Sequence, residues 1–461
     1  MDKLVHRFGL AHLEDVIMLD AISGGSGFYG DPITRQLADS FGFGEKYLID
    51  NSDMYTDPRT AEIRNLSEKG EDTTELRREF AEDIRSNEKI AVLREIAKDI
   101  GSSYQRRVRL DQANSLRVVN GVLLDDLRVR TSDISYRDAL IGITGVEPAL
   151  VPGDFFMQDQ KDRTLELMGY PKNTSMREAA IKWRKDMEIL NREETGELYK
   201  KSCTLMFDIL KQKYLPKDAE LKVDILEDAP FMGFFAYGNR QGDVYGETCM
   251  VKSDTKCAFD IINTATHEIG GHYLVTALWH EYARESDDVF GATNTMATNQ
   301  ACVNEGYANC AKDLFDLSYL FENVGFGLEK MDSEDIRKNL AISSNLETLA
   351  MMSLGYEAHK LFELGNITPN EMVKEYEEFG VDSDRAELRV KHMCGPDAKK
   401  LHSFCYFGPG YFPGMVTVNG VLKYKGRKEA LDAITTKEGP CSLYTLRGKI
   451  PDTRHGGIIS I

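Results

Sequence analysis

Apolar positions along the chain recur mostly at helical spacing. Thr74-Glu75-Leu76-Arg77-Arg78-Glu79-Phe80 opens with a capping residue, and Ile84, Ile90, Leu93, Ile96 and Ile100 follow at near-helical intervals among charged residues. This predicts helices with a solvated charged face through the amino-terminal half. A second helical pattern begins at Asn299 and continues through Ala311, Leu314 and Phe315, with Ala301, Glu305, Ala308 and Phe315 on one stripe by the i, i+3, i+4 rule. Strand signals are sparse. Asp243 to Val251 reads as a strand, and Val119 to Leu123 and Val418 to Leu422 share the words Val-Asn-Gly-Val-Leu, in which Asn-Gly between apolar β-formers predicts a hairpin. The pattern implies a mainly α fold: a large two-lobed helical body with a central cleft and a few short β-strands or hairpins.

Chemistry concentrates in His267-Glu268-Ile269-Gly270-Gly271-His272. Zinc proteases commonly place histidines at i and i+4 of one helix, with the intervening glutamate as general base. Here the second histidine is at i+5, which raises the angular offset of the rings from about 40° to about 140° on an unbroken α-helix. A π-bulge adds one residue to a turn and would return His267 and His272 to a common face. Gly270-Gly271 lies inside the turn that must deform. Glycine in a helix interior costs roughly 0.5–1 kcal/mol relative to alanine, so the pair implies unusual torsions or close approach of another backbone. The plain alternative is a helix broken at Gly-Gly.

Catalytic zinc takes three protein ligands, and two histidines with one glutamate form a standard set. Glu305 occupies an inner stripe among small and apolar residues on the next substantial helix, where a carboxylate is costly unless it is paired or bound to metal. An ion pair with Lys312 is the alternative. Glu268 would then act as general base towards a water that zinc polarises. Donors to the oxyanion of a tetrahedral intermediate are expected from the late segment: Tyr406 and Tyr411, within a glycine- and proline-rich loop from His402 to Gly414, and His392.

Asn263-Thr264-Ala265-Thr266-His267-Glu268 with Gly271-His272-Tyr273-Leu274 resembles the TTAYHEAYPGHHLQ stretch of the family called domain of unknown function 885. Asn304-Glu305-Gly306-Tyr307-Ala308 resembles its EGWA element, and Leu354-Gly355-Tyr356-Glu357-Ala358-His359 with Ile367 to Met372 is similar to its DTGIH and WTREQA stretch. Cys405-Tyr406-Phe407-Gly408 is similar to its SYKIG end. That family places the second histidine one residue further along, whereas the HExxxH spacing here resembles the tubulin tyrosine carboxypeptidase family. The PGQ ahead of the first family's late tyrosine is not reproduced. The resemblance spans roughly residues 230 to 415 and implies a helical gluzincin-like metallopeptidase, with zinc on His267, His272 and Glu305 and Glu268 as base. In gluzincins an edge strand beside the active-site helix aligns the substrate backbone, and the resemblance implies that role for Asp243 to Val251.

Composition narrows the partners. At 461 residues the chain exceeds the usual single-core size. Its expected organisation is an amino-terminal helical lobe over 1–230, a zinc-binding catalytic region over 231–425, and a carboxy-terminal extension over 426–461 packed on the body. A net charge of −18 argues against a nucleic-acid partner, which requires a concentrated positive surface. No opening segment of signal-peptide type and no membrane-spanning run appear, and the eight scattered cysteines form no CxxC pair, so a cytoplasmic protein with reduced, mostly buried thiols is expected. Cys302 and Cys310 read as core. A cysteine-protease reading built on Cys405 with His392 or His402 has no motif behind it. Arg106-Arg107-Val108-Arg109 and Arg128-Val129-Arg130 read as surface charge or, functionally, as a clamp for a substrate carboxylate. Ser23 to Gly27 is glycine-rich but lacks the ending of a phosphate loop and reads as a turn.

The leading expectation is therefore a zinc-dependent hydrolase acting on a peptide or small amide. The alternatives are a metal enzyme acting on a non-peptide small molecule through the same ligands, with iron in place of zinc, and a catalytically silent binding relative. Retention of Glu268 argues against the last, since binding needs ligands but no base.

Overall fold

Helical periodicity in the sequence is realised as a helical body with, among the described residues, one small sheet. The computed structural model describes residues 3–22, 62–63, 65–66, 69–85, 89–126, 134–145, 154–187, 190–217, 219–226, 233–240, 243–251, 257–286, 288–292, 298–378, 381, 383–394, 407–434 and 439–450. The first half contributes α1 (Lys3–Ile22), α2 (Thr74–Arg85), α3 (Lys89–Lys98), α4 (Ser103–Asp126), α5 (Tyr136–Thr144), α6 (Asp154–Met168), α7 (Met176–Asp186) and α8 (Arg192–Lys211). Strands β1 (Glu220–Leu226), β2 (Gly233–Arg240) and β3 (Asp243–Val251) follow. Next come α9 (Ala258–His267), a π-helical turn (Glu268–Tyr273), α10 (Leu274–Ser286), α11 (Asn299–Leu314), α12 (Ser318–Val324) and α13 (Ser333–His359). The remainder is α14 (Pro369–Glu378), α15 (Ser383–Cys394), α16 (Phe407–Lys425), α17 (Arg427–Ile434) and α18 (Leu443–Arg447). The fold is mainly α.

Local signals set several boundaries. Asp332 caps the long α13 by accepting from the amides of Glu334 and Asp335 at 2.9 and 2.8 Å, which satisfies two of the donors a helix leaves unpaired at its start. Gly145 closes α5 with φ 68°, in the left-handed region that favours glycine. One hydrophobic cluster runs from Val5 in α1 to Leu446 in α18, so the three stretches distinguished in the sequence share a core. Within it α8 packs on α9 and the π-turn, α13 packs on α9, and α11 lies against both the π-turn and α16.

Three expectations are corrected. Val119 to Leu123 and Val418 to Leu422 are helical, within α4 and α16, rather than hairpins. Val119 with Val122, and Val418 with Val421, are buried at i, i+3 spacing, and that stripe overrides the local Asn-Gly preference. The glycine- and proline-rich stretch from Phe407 starts α16 instead of forming a loop, with Pro413 inside the helix. A side-chain carbon on Gly414 would lie 2.0 Å from the Cys302 carbonyl oxygen, so this glycine serves the approach of α16 to α11. The strand upstream of the histidine pair, β3, was expected at an edge; it is central, parallel to β1 and antiparallel to β2.

Arg109, one of the residues expected at the surface or on a substrate carboxylate, does neither. It is 1% exposed and paired with the fully buried Asp288. Tyr282 Oη and the Phe290 amide donate to the same carboxylate at 3.2 and 3.3 Å, and the guanidinium carbon lies 5.0 Å from the Phe290 ring centre. Beside this pair Gln112 Nε2 lies 3.1 Å from His12 Nε2, an arrangement in which the amide donates to a neutral ring. Burial first, and the charge of Arg109 second, push His12 down to about 3. In the unfolded chain a histidine takes its proton near pH 6.5, so the stability that neutral His12 contributes is complete above that value and is lost between about pH 6.5 and 3. The difference in unfolding free energy between wild type and His12→Asn should therefore move against the wild type as pH falls through this window. The limiting slope is about 1.4 kcal/mol per pH unit in denaturant titrations; a difference that stays flat with pH would contradict the assignment.

Candidate metal centre

The helix that carries the first histidine is rich in small and apolar residues and buries most of its length, from Ala258 to Thr266. It passes into the π-turn at Glu268 and resumes as α10 at Leu274. The wider turn inserts one residue, so the i+5 spacing that would separate the rings on an α-helix brings them together. His267 Nε2 and His272 Nε2 are 3.1 Å apart, with the rings edge to face at 4.8 Å between centres.

Glycine at 270 and 271 is explained by close approach rather than by torsion, since neither has positive φ. A side-chain carbon on Gly271 would sit 2.0 Å from Ala308 Cα and 2.5 Å from Ala308 Cβ. On Gly270 it would meet Met206 Cε at 2.9 Å and Ala311 Cβ at 3.0 Å. The π-turn thus lies directly on α11, and that contact delivers Glu305. Its Oε2 is 3.6 Å from each histidine Nε2. Lys312, the alternative partner for Glu305, has its ammonium on Asp313 at 3.1 Å.

Asn304, beside Glu305 in the sequence, is 4% exposed and its Oδ1 lies 3.0 Å from His272 Nδ1. A carbonyl oxygen accepts, so Nδ1 carries the proton and Nε2 turns its lone pair towards the other two donors. The three atoms have the chemistry of a metal-ligand set. Their separations of 3.1, 3.6 and 3.6 Å bracket the roughly 3.3–3.4 Å between donors that tetrahedral zinc, with bonds of about 2.0–2.1 Å, requires. Among the described residues this is the one cluster of at least three histidine, cysteine or acidic groups so placed.

Burial, with His272 adding to it, holds His267 well below the usual imidazole range, as a ligand requires. Glu268 is 8% exposed, and burial pushes its carboxyl up to about 7; His272 opposes the shift, while Glu305 and Glu347 add to it. Glu347 belongs to α13 and accepts a hydrogen bond from Asn263 Nδ2, one helical turn before His267. Cys302 and Cys310 are buried thiols pushed up to about 12 by burial, in keeping with the core role expected of them.

His267, His272, Glu305 and Glu268 are thus brought together. Tyr406 lies outside the described residues, as do the side chains of Tyr411 in α16 and His392 in α15, so the expected oxyanion donors are not located. Sequence reasoning missed Asn304 and Glu347. Asn304 carried a usable signal, an amide adjacent to an inward carboxylate. Glu347 carried none, because a glutamate in an amphipathic helix reads as solvated face until α13 is seen to pack on α9.

The Gly271 contact is the more demanding of the two, since its neighbour is backbone, whereas Gly270 meets the flexible end of Met206. Gly271→Ala is expected to lower stability by at least about 1–3 kcal/mol, the usual cost of overpacking, and Gly270→Ala by less. Thermal unfolding of the two variants would show the order; equal effects would contradict the packing argument.

The chain matches no family model and no curated protein. Among solved structures, its fold is similar to that of a candidate lipoprotein from Colwellia psychrerythraea, at 14% identity and a TM-score of 0.50, over 82% of this chain and 69% of that one. A candidate lipoprotein of unknown function from Shewanella oneidensis aligns at 14% identity and a TM-score of 0.47, over 92% of this chain and 83% of the other. No helix among the described residues is long and apolar enough to cross a membrane.

Proposed function

We propose that this chain is a zinc-dependent hydrolase that cleaves a peptide or amide bond, with His267, His272 and Glu305 as ligands and Glu268 as general base. The observation that carries the reading is the convergence of two imidazole nitrogens and one carboxylate oxygen across a π-turn, with a second carboxylate beside them. The resemblance of the flanking motifs to gluzincin-like metallopeptidases supports the same chemistry.

When bound, the metal would lower the pKa of a water and polarise the scissile carbonyl. Glu268 would accept the proton of the attacking water and return it to the leaving amine. Its burial favours this role, because a desolvated carboxylate has a stronger pull on a proton than an exposed one. Asn304 would act through His272, fixing the tautomer that leaves Nε2 available. An extended substrate would lie along β2, which ends the sheet on the side away from β1 and packs against the π-turn.

Metal analysis of the purified protein should return close to one zinc per chain; iron in its place, or no retained metal, would overturn the metal assignment. Glu268→Gln should keep the zinc and lose turnover by several orders of magnitude, while Glu305→Ala should lose the zinc itself. Hydrolysis that persists in Glu268→Gln would remove the base assignment. Asn304→Leu should weaken zinc binding by about 10–100-fold, the usual cost of losing a ligand's orienting partner, as measured by competition with a chelator.

A further inference from the structure

Helix α6 packs on both α7 and α13, and among the three lies a cavity of about 260 Å³. Trp183 and Asn339, 5% and 7% exposed, form its floor. Trp183 Nε1 donates to Asn339 Oδ1 and Asn339 Nδ2 donates to the Asp335 carbonyl, each at 3.0 Å, so these polar atoms of the floor are bonded to the protein itself. Met168, Met187 and Met331 continue an apolar wall with the Tyr170 ring. Asp186, Asp335 and Lys338 line the same cavity as exposed residues and so form its rim. Their charged groups make no ion pair or hydrogen bond with a described residue. We infer that this cavity binds a small organic amine, a single ring or short alkyl chain that carries one ammonium group. None of its lining residues is a metal donor, so the inference stands apart from the hydrolase reading.

Size, lining and charge each narrow the occupant. The volume is below the about 300–1,000 Å³ of a site for a drug-sized ligand, which limits the occupant to roughly one ring. Water in such a space finds few partners on a wall of methionine and aromatic carbon, and an apolar group displaces it favourably. The methionines adapt to the shape of what enters, because the side chain is unbranched and its sulfur polarisable. At the rim two carboxylates stand against one ammonium, leaving one net negative charge, and the negative faces of the tryptophan and tyrosine rings act in the same sense. The chain supplies its own example of the preference. Lys182 Nζ, from outside the cavity lining, lies 5.5 Å from the Tyr170 ring centre, within the roughly 6 Å reach of a cation–π contact. An amine sets its apolar body against the methionines and its ammonium at Asp186 and Asp335, whereas a carboxylate of the same shape meets like charge there.

Trp183 makes the site readable, since the chain holds only two tryptophans and Trp279→Phe leaves it as the sole one. Titration of the full chain with benzylamine should change the Trp183 emission and saturate. Benzyl alcohol should bind at least about twofold more weakly and benzoate most weakly of the three, as exposed charge contacts give. Asp186→Asn and Asp335→Asn, both at exposed positions, should each weaken benzylamine about two- to fivefold and leave benzyl alcohol unchanged. Isothermal titration calorimetry on the wild-type chain should return the same order with one amine site, and it decides the matter if Trp279→Phe does not fold. Absence of saturable benzylamine binding, benzyl alcohol or benzoate binding as tightly as the amine, or an amine affinity that both aspartate substitutions leave unchanged would each overturn the inference.

Discussion

Gly271 lies against Ala308 with no room between them for a side-chain carbon, and the position of every clustered donor follows from that approach. On one side of the contact is the π-turn, which brings His267 and His272 to a common face. On the other is α11, whose next inward residue towards its start is Glu305. A helix pair separated by even one methyl group would hold the carboxylate too far from the imidazoles to share a small cation. The same helix is gripped from its other side by α16, where a side-chain carbon on Gly306 would meet the Gly414 carbonyl oxygen at 2.5 Å. Glycines on three successive elements thus set the spacing of a three-layer stack with α11 in the middle. Protein interiors transmit such constraints because they are close-packed and have few soft directions.

The electrostatics of the site are a consequence of this packing. Burial that keeps His267 neutral suits it to the proposed role of ligand, and burial that raises the Glu268 carboxyl suits it to the proposed role of base. The two effects have one cause, the removal of water by α8 and α11 packed on the π-turn, with α13 packed on the preceding α9. The second buried polar centre, Arg109 with Asp288, differs in kind. Its charges satisfy one another and its neighbours are aromatic rings and backbone, so it joins α4 to the segment after α10.

Much of this was legible in the sequence, for identifiable reasons. The hexapeptide with its extra residue pointed to a widened turn or a break at Gly-Gly; the structure places a π-helical segment there, and the glycines serve the close approach of α11. The inward stripe of α11 identified Glu305, because periodicity reports burial. What periodicity cannot report is which helix packs on which, and so Glu347 and the shared core across the chain were not legible. Local turn chemistry misled in two places. Asn-Gly at 120–121 and 419–420, and the glycines and prolines after Phe407, signal turns in isolation, yet buried valine stripes and a close helix contact turned both into helix. β3 was placed at the edge of its sheet because sequence gives the order of strands and not their neighbours.

The claim on which the account rests is that a π-turn and one facing helix build a metal site from two imidazoles and one carboxylate. X-ray absorption at the zinc edge of the metal-loaded protein reads that ligand set directly. The account predicts a first shell of nitrogen and oxygen only, at about 2.0–2.1 Å, with the outer-shell scattering of two imidazoles, and a zinc signal that is lost in His272→Ala. Sulfur in the first shell, or a signal unchanged by that substitution, would contradict it.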